Sequence, residues 1–511
     1  MSAAPQTFKA LAAGSARRCA VRIKERVMVN IELIVFIVYI LFVIGIGIYF
    51  FVKGQNASDK DYFLGGRRMG AWVAALSAGA SDMSAWVLMG LPASIYAIGM
   101  GQAWIAIGLA IGYAISWLVE APRLRRFSIV ANDSITIPQY LTNRFLSKSK
   151  ALQIICAVIF LVAYTIYAAS SIKACGTLFN TVLGINANTA MYIAAGVIIV
   201  YTFLGGFSAV CWTDFFQGLL MLAALLIAPI FASFMLKSAS VEALPAGYLN
   251  MMTGWKDIVS GLGWGLGYFG MPHIIIRFMS IRSDRDLKKS AKIGISWTVL
   301  IVIFSVAAGA VGRMFLGFDQ NIADNSLVFI NMVRRIFPGL ISGILLSSIL
   351  AAAMSTADSQ LLAAASAFAS DVYKPVIRKD KATDREMLWA GRWVVLVIAF
   401  VALIIASNPN AGSIMSLVSN AWGLFGAAFG PVILLSLFWK KFTFAGAACG
   451  IVAGAAVDAL WLAFLANTGI YEIIPGAAAG LVAAVAVSAA TYKKDEAVEE
   501  LFDKAVNYTE E

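Results

Sequence analysis

Apolar runs long enough to cross a bilayer recur along the whole chain, separated by short polar segments. About thirteen can be marked, over residues 32–52, 71–97, 101–120, 151–183, 188–204, 208–236, 258–278, 293–316, 336–370, 389–407, 412–438, 443–466 and 470–491. Two of them are not plain anchors. The second contains Ala75-Leu-Ser-Ala-Gly-Ala-Ser-Asp-Met-Ser-Ala-Trp86, with Asp82 at mid-membrane, and the seventh contains Gly261-Leu-Gly-Trp-Gly-Leu-Gly-Tyr-Phe-Gly-Met-Pro272. A broken helix at bilayer depth survives only where it lines a protein cavity, because lipid cannot satisfy the freed backbone groups. A pair of breaks in corresponding positions of two halves points to the binding site of a secondary transporter. The broken spans are five apart, so spans 2–6 and 7–11 form two five-helix units. An odd number of helices inverts the second unit relative to the first. The expected fold is an all-α polytopic membrane protein with an inverted repeat and spans 1, 12 and 13 added.

Composition sharpens this picture. Hydrophobic residues make up 60% of the 511 and charged residues only 13%, where a soluble domain carries about a quarter. One transmembrane unit over residues 31–492 leaves no room for a large soluble domain. The net charge of +11 comes from basic residues concentrated in alternate loops, which reflects topology and anionic lipid rather than nucleic acid. Clusters such as Arg67–Arg68, Arg123–Arg126, Arg282–Lys292 and Lys440–Lys441 fall on one side, expected to be cytoplasmic. The N-terminus is then outside and the C-terminus inside. Residues 1–27 break the pattern with six basic residues on the outer side and no apolar signal core. Translation from Met28, with residues 1–30 a mis-annotated extension, would explain them. The acidic tail, residues 493–511, reads as a short solvated helix. The five cysteines lack metal-ligand spacing and read as reduced small hydrophobes. The single histidine, His273, is expected to be packed rather than to relay protons.

Asp82 carries the first candidate chemistry. An ionisable side chain at mid-span costs a few kcal/mol on insertion scales and marks a functional site by default. The alternative is a carboxylate that caps the broken helix. Ser77, Ser81 and Ser84 flank it, and oxygen-rich surroundings suit a hard alkali cation such as Na⁺. In Ala351-Ala-Ala-Met-Ser-Thr-Ala-Asp-Ser-Gln360 of the ninth span, Ser355, Thr356 and Ser359 share one side of a helix beside Asp358. These hydroxyls either bond back to their own helix or help hold an ion. Asp214, in Gly205-Gly-Phe-Ser-Ala-Val-Cys-Trp-Thr-Asp214, sits within the membrane or at its inner edge. In the seventh span, Trp264 and Tyr268 lie one helical turn apart among glycines and wall a small apolar or cationic group. No lone arginine or lysine sits at mid-span to hold a substrate carboxylate, so that group would meet the N–H groups of a broken-helix start.

With these residues in place, the chain resembles the sodium:solute symporter family, and within it the bacterial proline branch. The stretches that carry the resemblance are Asp61-Tyr-Phe-Leu-Gly-Gly-Arg67, the motif ending at Ser84, Thr202-Phe-Leu-Gly-Gly-Phe207, Trp212-Thr-Asp214, Gly263-Trp-Gly-Leu-Gly-Tyr-Phe-Gly270, Gly343-Ile-Leu-Leu-Ser347 with Met354-Ser-Thr356, and Gly426-Ala-Ala-Phe-Gly-Pro431. They cover roughly residues 30–492. The resemblance implies a LeuT-like form of the inverted repeat and sodium-coupled uptake of a small zwitterion, L-proline above all, with Na⁺ as coupling ion and no other cofactor. It implies a sodium site made by carbonyls of Ala80, Met83 and Ala352 and hydroxyls of Ser355 and Thr356. Asp82 would couple ion to substrate, and Ser84, Tyr167, Trp264, Tyr268 and Pro272 would form the substrate pocket. Arg67 would belong to a sensitive cytoplasmic loop. Asp214, Asp358 and Ser359 match a second cation site of some relatives, although Asp358 replaces a serine there. Ala85, Met271 and Ala168 stand where the proline branch carries glycine, glutamine and cysteine. Symport of another amino acid, pantothenate or an osmolyte is the alternative. A channel would need a continuous polar pore, a sensor an appended domain, and an enzyme a nucleophile–base pair or metal motif.

Overall fold

The computed structural model describes residues 4–53, 59–204, 206–236, 244–317, 324–379 and 381–510, with side chains omitted for residues 4–25, 201 and 204. Cys19 and the basic side chains up to Lys24 therefore lie outside the described residues. The chain is helical throughout. It opens with α1 (Ala4–Lys53) and a short α2 (Asp59–Leu64). The first broken span is α3 (Ala71–Asp82) and α4 (Gly90–Ile98), joined by a 3-10 turn at Ala85–Val87. Then follow α5 (Ala103–Ile115), α6 (Ala121–Val130), α7 (Ile137–Arg144), α8 (Ala151–Leu183), α9 (Ala187–Leu204) and α10 (Phe207–Leu236). The second broken span is α11 (Trp255–Gly263), a 3-10 stretch at Trp264–Phe269, and α12 (Pro272–Ser280). The rest comprises α13 (Asp284–Leu316), α14 (Val328–Ile336), α15 (Gly339–Ala367), α16 (Asp384–Ser407), α17 (Ile414–Phe438), α18 (Phe444–Phe464), α19 (Ile473–Thr491) and α20 (Glu496–Val506).

Among the described residues ten helices are long and apolar enough to cross a membrane. The two broken spans and α9 account for the other three expected spans, so length alone does not carry the count to thirteen. The breaks fall where the residues demand them. In the first, Met83 N–H bonds Gly79 O at 2.9 Å and helical geometry then ends, with Met83 at ψ 70° and Ser84 extended. Ser84 rescues one freed donor by accepting Trp86 N–H at 3.4 Å. In the second, Pro272 starts α12, where its missing N–H costs nothing. The glycines ahead of it serve close packing. A Cβ at Gly267 would stand 2.0 Å from Trp422 Nε1, and one at Gly265 would stand 2.4 Å from Gly108 O.

The packing repeats with a period of five spans, as an inverted repeat requires. α3 packs on α10 as the 3-10 segment of the second break packs on α17. α8 packs on α9 as α15 packs on α16, and α10 packs on α15 as α17 packs on α8. α15 lies at the centre, buried along nearly its whole length between α1, α3, α8 and α10. Large apolar side chains of the outer helices, such as Ile34 and Leu41 of α1 and Phe400 of α16, are exposed on the outside of the bundle, where lipid would cover them.

The loops that carry the basic clusters share one face. Arg67 donates to Met279 O at 2.6 Å, to Ser134 O at 2.9 Å and to Asp133 at 2.8 Å. Arg125 donates to Ile281 O and Asp284, both at 2.8 Å. The acidic tail is not merely solvated. Helix α20 docks on this face, with Phe502 buried edge-on against Phe127 and Lys440 paired to Asp503 at 2.7 Å. Cys156, Cys175 and Cys211 are free and buried, and Cys449 is free and exposed.

Candidate functional site

The two breaks and α15 meet at the centre of the bundle. Asp82 ends α3 and is fully buried. Its Oδ2 accepts the Tyr268 hydroxyl at 2.6 Å, while Oδ1 is buried without a hydrogen-bond partner. Tyr167 of α8 reaches Asp82 O at 3.4 Å. Asp82, Ser84, Tyr167 and Tyr268, read from three separate spans, thus converge on one point. Pro272 and His273 lie just beyond. His273 is buried and its N–H donates to Tyr164 Oη at 3.0 Å; its ring packs near Tyr164 and Tyr167.

Trp264 and Tyr268 are part of an aromatic cluster larger than the sequence suggests. Trp264 stacks on Tyr471 with centroids 5.1 Å apart and lies 6.0 Å from Trp86. Tyr268 meets Tyr113 edge-on at 5.0 Å and Trp422 at 5.1 Å. Trp422 also donates Nε1–H to Trp264 O at 2.8 Å. Nothing in the periodicity of α17 or α19 distinguishes Trp422 and Tyr471 from ordinary core aromatics. A cavity of about 590 Å³ lies behind this break, walled by Ile115, Leu266, Phe269 and Pro431, but it is almost wholly apolar and lacks the polar groups a zwitterion needs.

Three of the candidate sodium ligands, Ala80, Ala352 and Ser355, come together. Ser355 Oγ lies 2.7 Å from Ala80 O and 3.2 Å from Ala352 O, bridging α15 to the end of α3. Thr356 Oγ1 is buried without a hydrogen-bond partner beside it in sequence. Met83 is buried at the helix end. Buried hydroxyls are normally satisfied, so the orphaned Thr356 oxygen fits a place meant for a cation. Neutral hydroxyl and carbonyl oxygens suit a hard alkali ion.

One buried cation is not singled out from the sequence: Arg277 of α12 is 1% exposed. Its guanidinium donates to Ser359 Oγ at 2.6 Å, to Ser77 Oγ at 3.1 Å and to Asp214 Oδ2 at 3.2 Å, and also to His273 O. Ser77 in turn donates to Asp214 at 2.7 Å, so it serves Asp214 and not Asp82. The cation between Asp214 and Ser359 is therefore the protein's own. Asp214 is fully buried, and so is Asp358. Ser81 bonds back to Ala78 O at 3.2 Å. The signal for Arg277 was its setting in Ile274-Ile-Ile-Arg-Phe-Met279, an apolar run that continues past it.

Helices broken in two inverted repeats, meeting at a buried acid and a cluster of neutral oxygens, define a secondary transporter. The chain belongs to the sodium:solute symporter family, whose profile matches residues 62–454. It is 42% identical over 466 residues to the High-affinity proline transporter PutP of Bacillus subtilis, covering 89% of this chain and 97% of the relative. It is 41% identical to the Osmoregulated proline transporter OpuE of the same organism, covering 93% of this chain and 98% of the relative. It is 42% identical to the Sodium/proline symporter of Staphylococcus aureus, covering 90% and 93%. Among solved structures, a Na⁺-coupled sialic acid symporter in a substrate-bound outward-open state superposes with a TM-score of 0.76 at 19% identity, over 91% of this chain and 99% of that one. The nucleobase-cation-symport-1 family transporter Mhp1 does so at 0.56 and 16%, over 88% and 99%. These two likenesses concern the fold.

Proposed function

We propose that the chain is a sodium/proline symporter of a bacterial cytoplasmic membrane, with the face bearing Arg67, Arg125 and α20 toward the cytoplasm. The observation that carries this reading is the contact of Ser355 Oγ with Ala80 O at 2.7 Å, two residues from Asp82. It joins α15 to the last turn of α3, which also carries the carboxylate that accepts from Tyr268, and so supports an ion site beside Asp82. Na⁺ bound by the carbonyls of Ala80, Met83 and Ala352 and the hydroxyls of Ser355 and Thr356 would hold α3 to α15 and fix the break. The fixed break presents Asp82, Ser84, Tyr167, Trp264, Tyr268 and Pro272 to proline. Names of relatives that carry proline support the choice of solute. The contact of the Arg277 guanidinium with Asp214 and Ser359 supports one Na⁺ per proline, since a cation of the protein already stands beside Asp214.

A membrane potential of ~100 mV supplies about 2.3 kcal/mol for one charge moved, a roughly 50-fold accumulation before any sodium gradient is added. Uptake of labelled proline into proteoliposomes tests the proposal. Accumulation should require an inward Na⁺ gradient and collapse when K⁺ replaces Na⁺. Equal accumulation in K⁺ would refute sodium coupling, and sodium-driven uptake of another solute in preference to proline would refute the substrate.

A further inference from the structure

Among the buried acidic side chains outside the ion and substrate sites described above, Asp458 and Glu472 face a common point. Asp458, near the end of α18, and Glu472, just ahead of α19, are 2% and 8% exposed. They converge on Gly423 of α17. A Cβ at Gly423 would stand 2.9 Å from Asp458 Oδ1 and 3.5 Å from Glu472 Oε1, so both oxygens face the same point. Asp458 Oδ1 is buried without a hydrogen-bond partner. Among the described residues neither acid forms an ion pair. Two carboxylates that both face Gly423, shielded from water and without a counter-cation, do not both stay ionised.

We propose that Asp458 and Glu472 share one proton at the outer end of the bundle, and that this proton sets the affinity of the substrate site according to external pH. The path to the site is short on both sides of the pair. Tyr471, next to Glu472, stacks on Trp264 and donates to Ser419 O at 2.8 Å. Trp422, next to Gly423, donates to Trp264 O. With the proton in place, the pair carries a single charge beside Gly423 and α19 seats against α17. When the proton leaves, like charges push the start of α19 from α17, and Tyr471 carries Trp264 with it.

The ionisable groups on the elements packed around the pair do not neutralise it. Lys256 of α11 donates to Thr468 O at 2.9 Å, and Asp257 follows it on the same helix. Tyr268 donates to Asp82, and Lys173 of α8 is held by Gly412 O. Tyr167 of α8 bonds Asp82 O, while Tyr140 and Arg144 of α7 and Cys449 of α18 lie toward the other end of α18 or on its outer surface. A fixed Na⁺ is a poorer occupant, since it needs several oxygens and the backbone carbonyls here are committed to helices.

Two measurements decide the matter, and only one of them rests on proline transport. Infrared spectra of the purified protein should show a protonated-carboxyl band at neutral pH that Asp458→Asn removes. In uptake at saturating Na⁺, the wild-type KM for proline should rise roughly fivefold or more between about pH 6 and about pH 9. Asp458→Asn and Glu472→Gln each mimic the protonated form and should hold the KM flat near its low-pH value. If Asp458→Asn does not fold, Glu472→Gln carries both measurements. Absence of the band, or variants that keep the wild-type pH profile, overturns the proposal. Should proline not be carried at all, the infrared result alone supports or overturns the shared proton.

Discussion

Thr356→Val isolates the sodium site from the packing around it. Valine keeps the branched shape of threonine and removes only a hydroxyl that is buried without a partner. An unsatisfied buried polar atom costs about 1–3 kcal/mol. If a cation offsets that cost, the hydroxyl destabilises the ion-free protein and stabilises the ion-bound one. Thr356→Val should therefore leave the ion-free protein as stable as before, or about 1 kcal/mol more so. The Na⁺ dissociation constant should rise about tenfold, equivalent to ~1.4 kcal/mol. At Na⁺ a hundredfold above the wild-type constant, stabilisation by the ion should fall from about 2.7 to about 1.4 kcal/mol. Ser355→Ala should behave differently. Its hydroxyl also holds Ala80 O at 2.7 Å, so its loss costs the ion-free state about 0.5–1.5 kcal/mol as well. Thermal unfolding over a Na⁺ series, with K⁺ keeping ionic strength constant, reads both effects. The Na⁺ dependence of proline uptake should shift in parallel, and proline affinity at saturating Na⁺ should move less, because mass action restores the ion-bound state. A Thr356→Val protein that loses stability without Na⁺ yet keeps the wild-type Na⁺ response would show that the hydroxyl is only a packing group.

Asp82→Asn preserves size and removes charge; Na⁺-driven uptake should fall at least about tenfold with normal membrane insertion, and near wild-type uptake at low Na⁺ would exclude the coupling role. Tyr268→Phe keeps the ring and loses the 2.6 Å bond to Asp82, so proline affinity should weaken about tenfold and Na⁺ affinity less. Trp264→Ala should do the same through lost stacking, and unchanged proline affinity in both variants would place the pocket elsewhere. Arg277→Gln strands Asp214 in the bundle and should cost about 3–5 kcal/mol in thermal stability, part of which Asp214→Asn in the same chain returns. An Arg277→Gln protein as stable as wild type would contradict the pairing.

The spans are legible because hydropathy alone decides what can face lipid, and the breaks because glycine, proline and a carboxylate interrupt otherwise apolar runs. The period of five spans between the breaks carries the inverted repeat, which the pairings of α3 with α10 and the second break with α17 repeat in space. Arg277 is hidden from sequence reading for a definite reason. It lies one residue from the end assigned to its span, where a long basic side chain usually stretches toward water. Its actual partner, Asp214, is 63 residues earlier, and no local pattern links the two. Proximity along the chain assigns Ser77 to Asp82, although α3 turns it toward Asp214 on another face. Trp422, Tyr471, Asp458 and Glu472 are each unexceptional residues until spans 11 to 13 bring them beside the second break. The docking of α20 is masked because its charged surface hides one buried aromatic, Phe502.

The arrangement constrains how ion and substrate can be coupled. Ala80, Asp82 and Met83 sit on the last turn of α3, so any ligand drawn to the carbonyls of this turn also fixes the direction of the Asp82 carboxylate. That carboxylate is tied to Tyr268, which belongs to the opposite repeat. On the proposed assignment, sodium on one side of the turn and proline on the other would each order the same few backbone torsions, and whichever bound first would lower the ordering cost for the second. The coupling is reciprocal by necessity. Arg277 and Asp214 hold the neighbouring half of α3 through Ser77 at 3.1 and 2.7 Å, which gives the moving turn a fixed base. A metal ion in place of that guanidinium would let the base loosen whenever the ion left. The built-in cation removes that freedom and, on the proposed assignment, leaves the turn from Ala80 to Met83 as the element that Na⁺ would close.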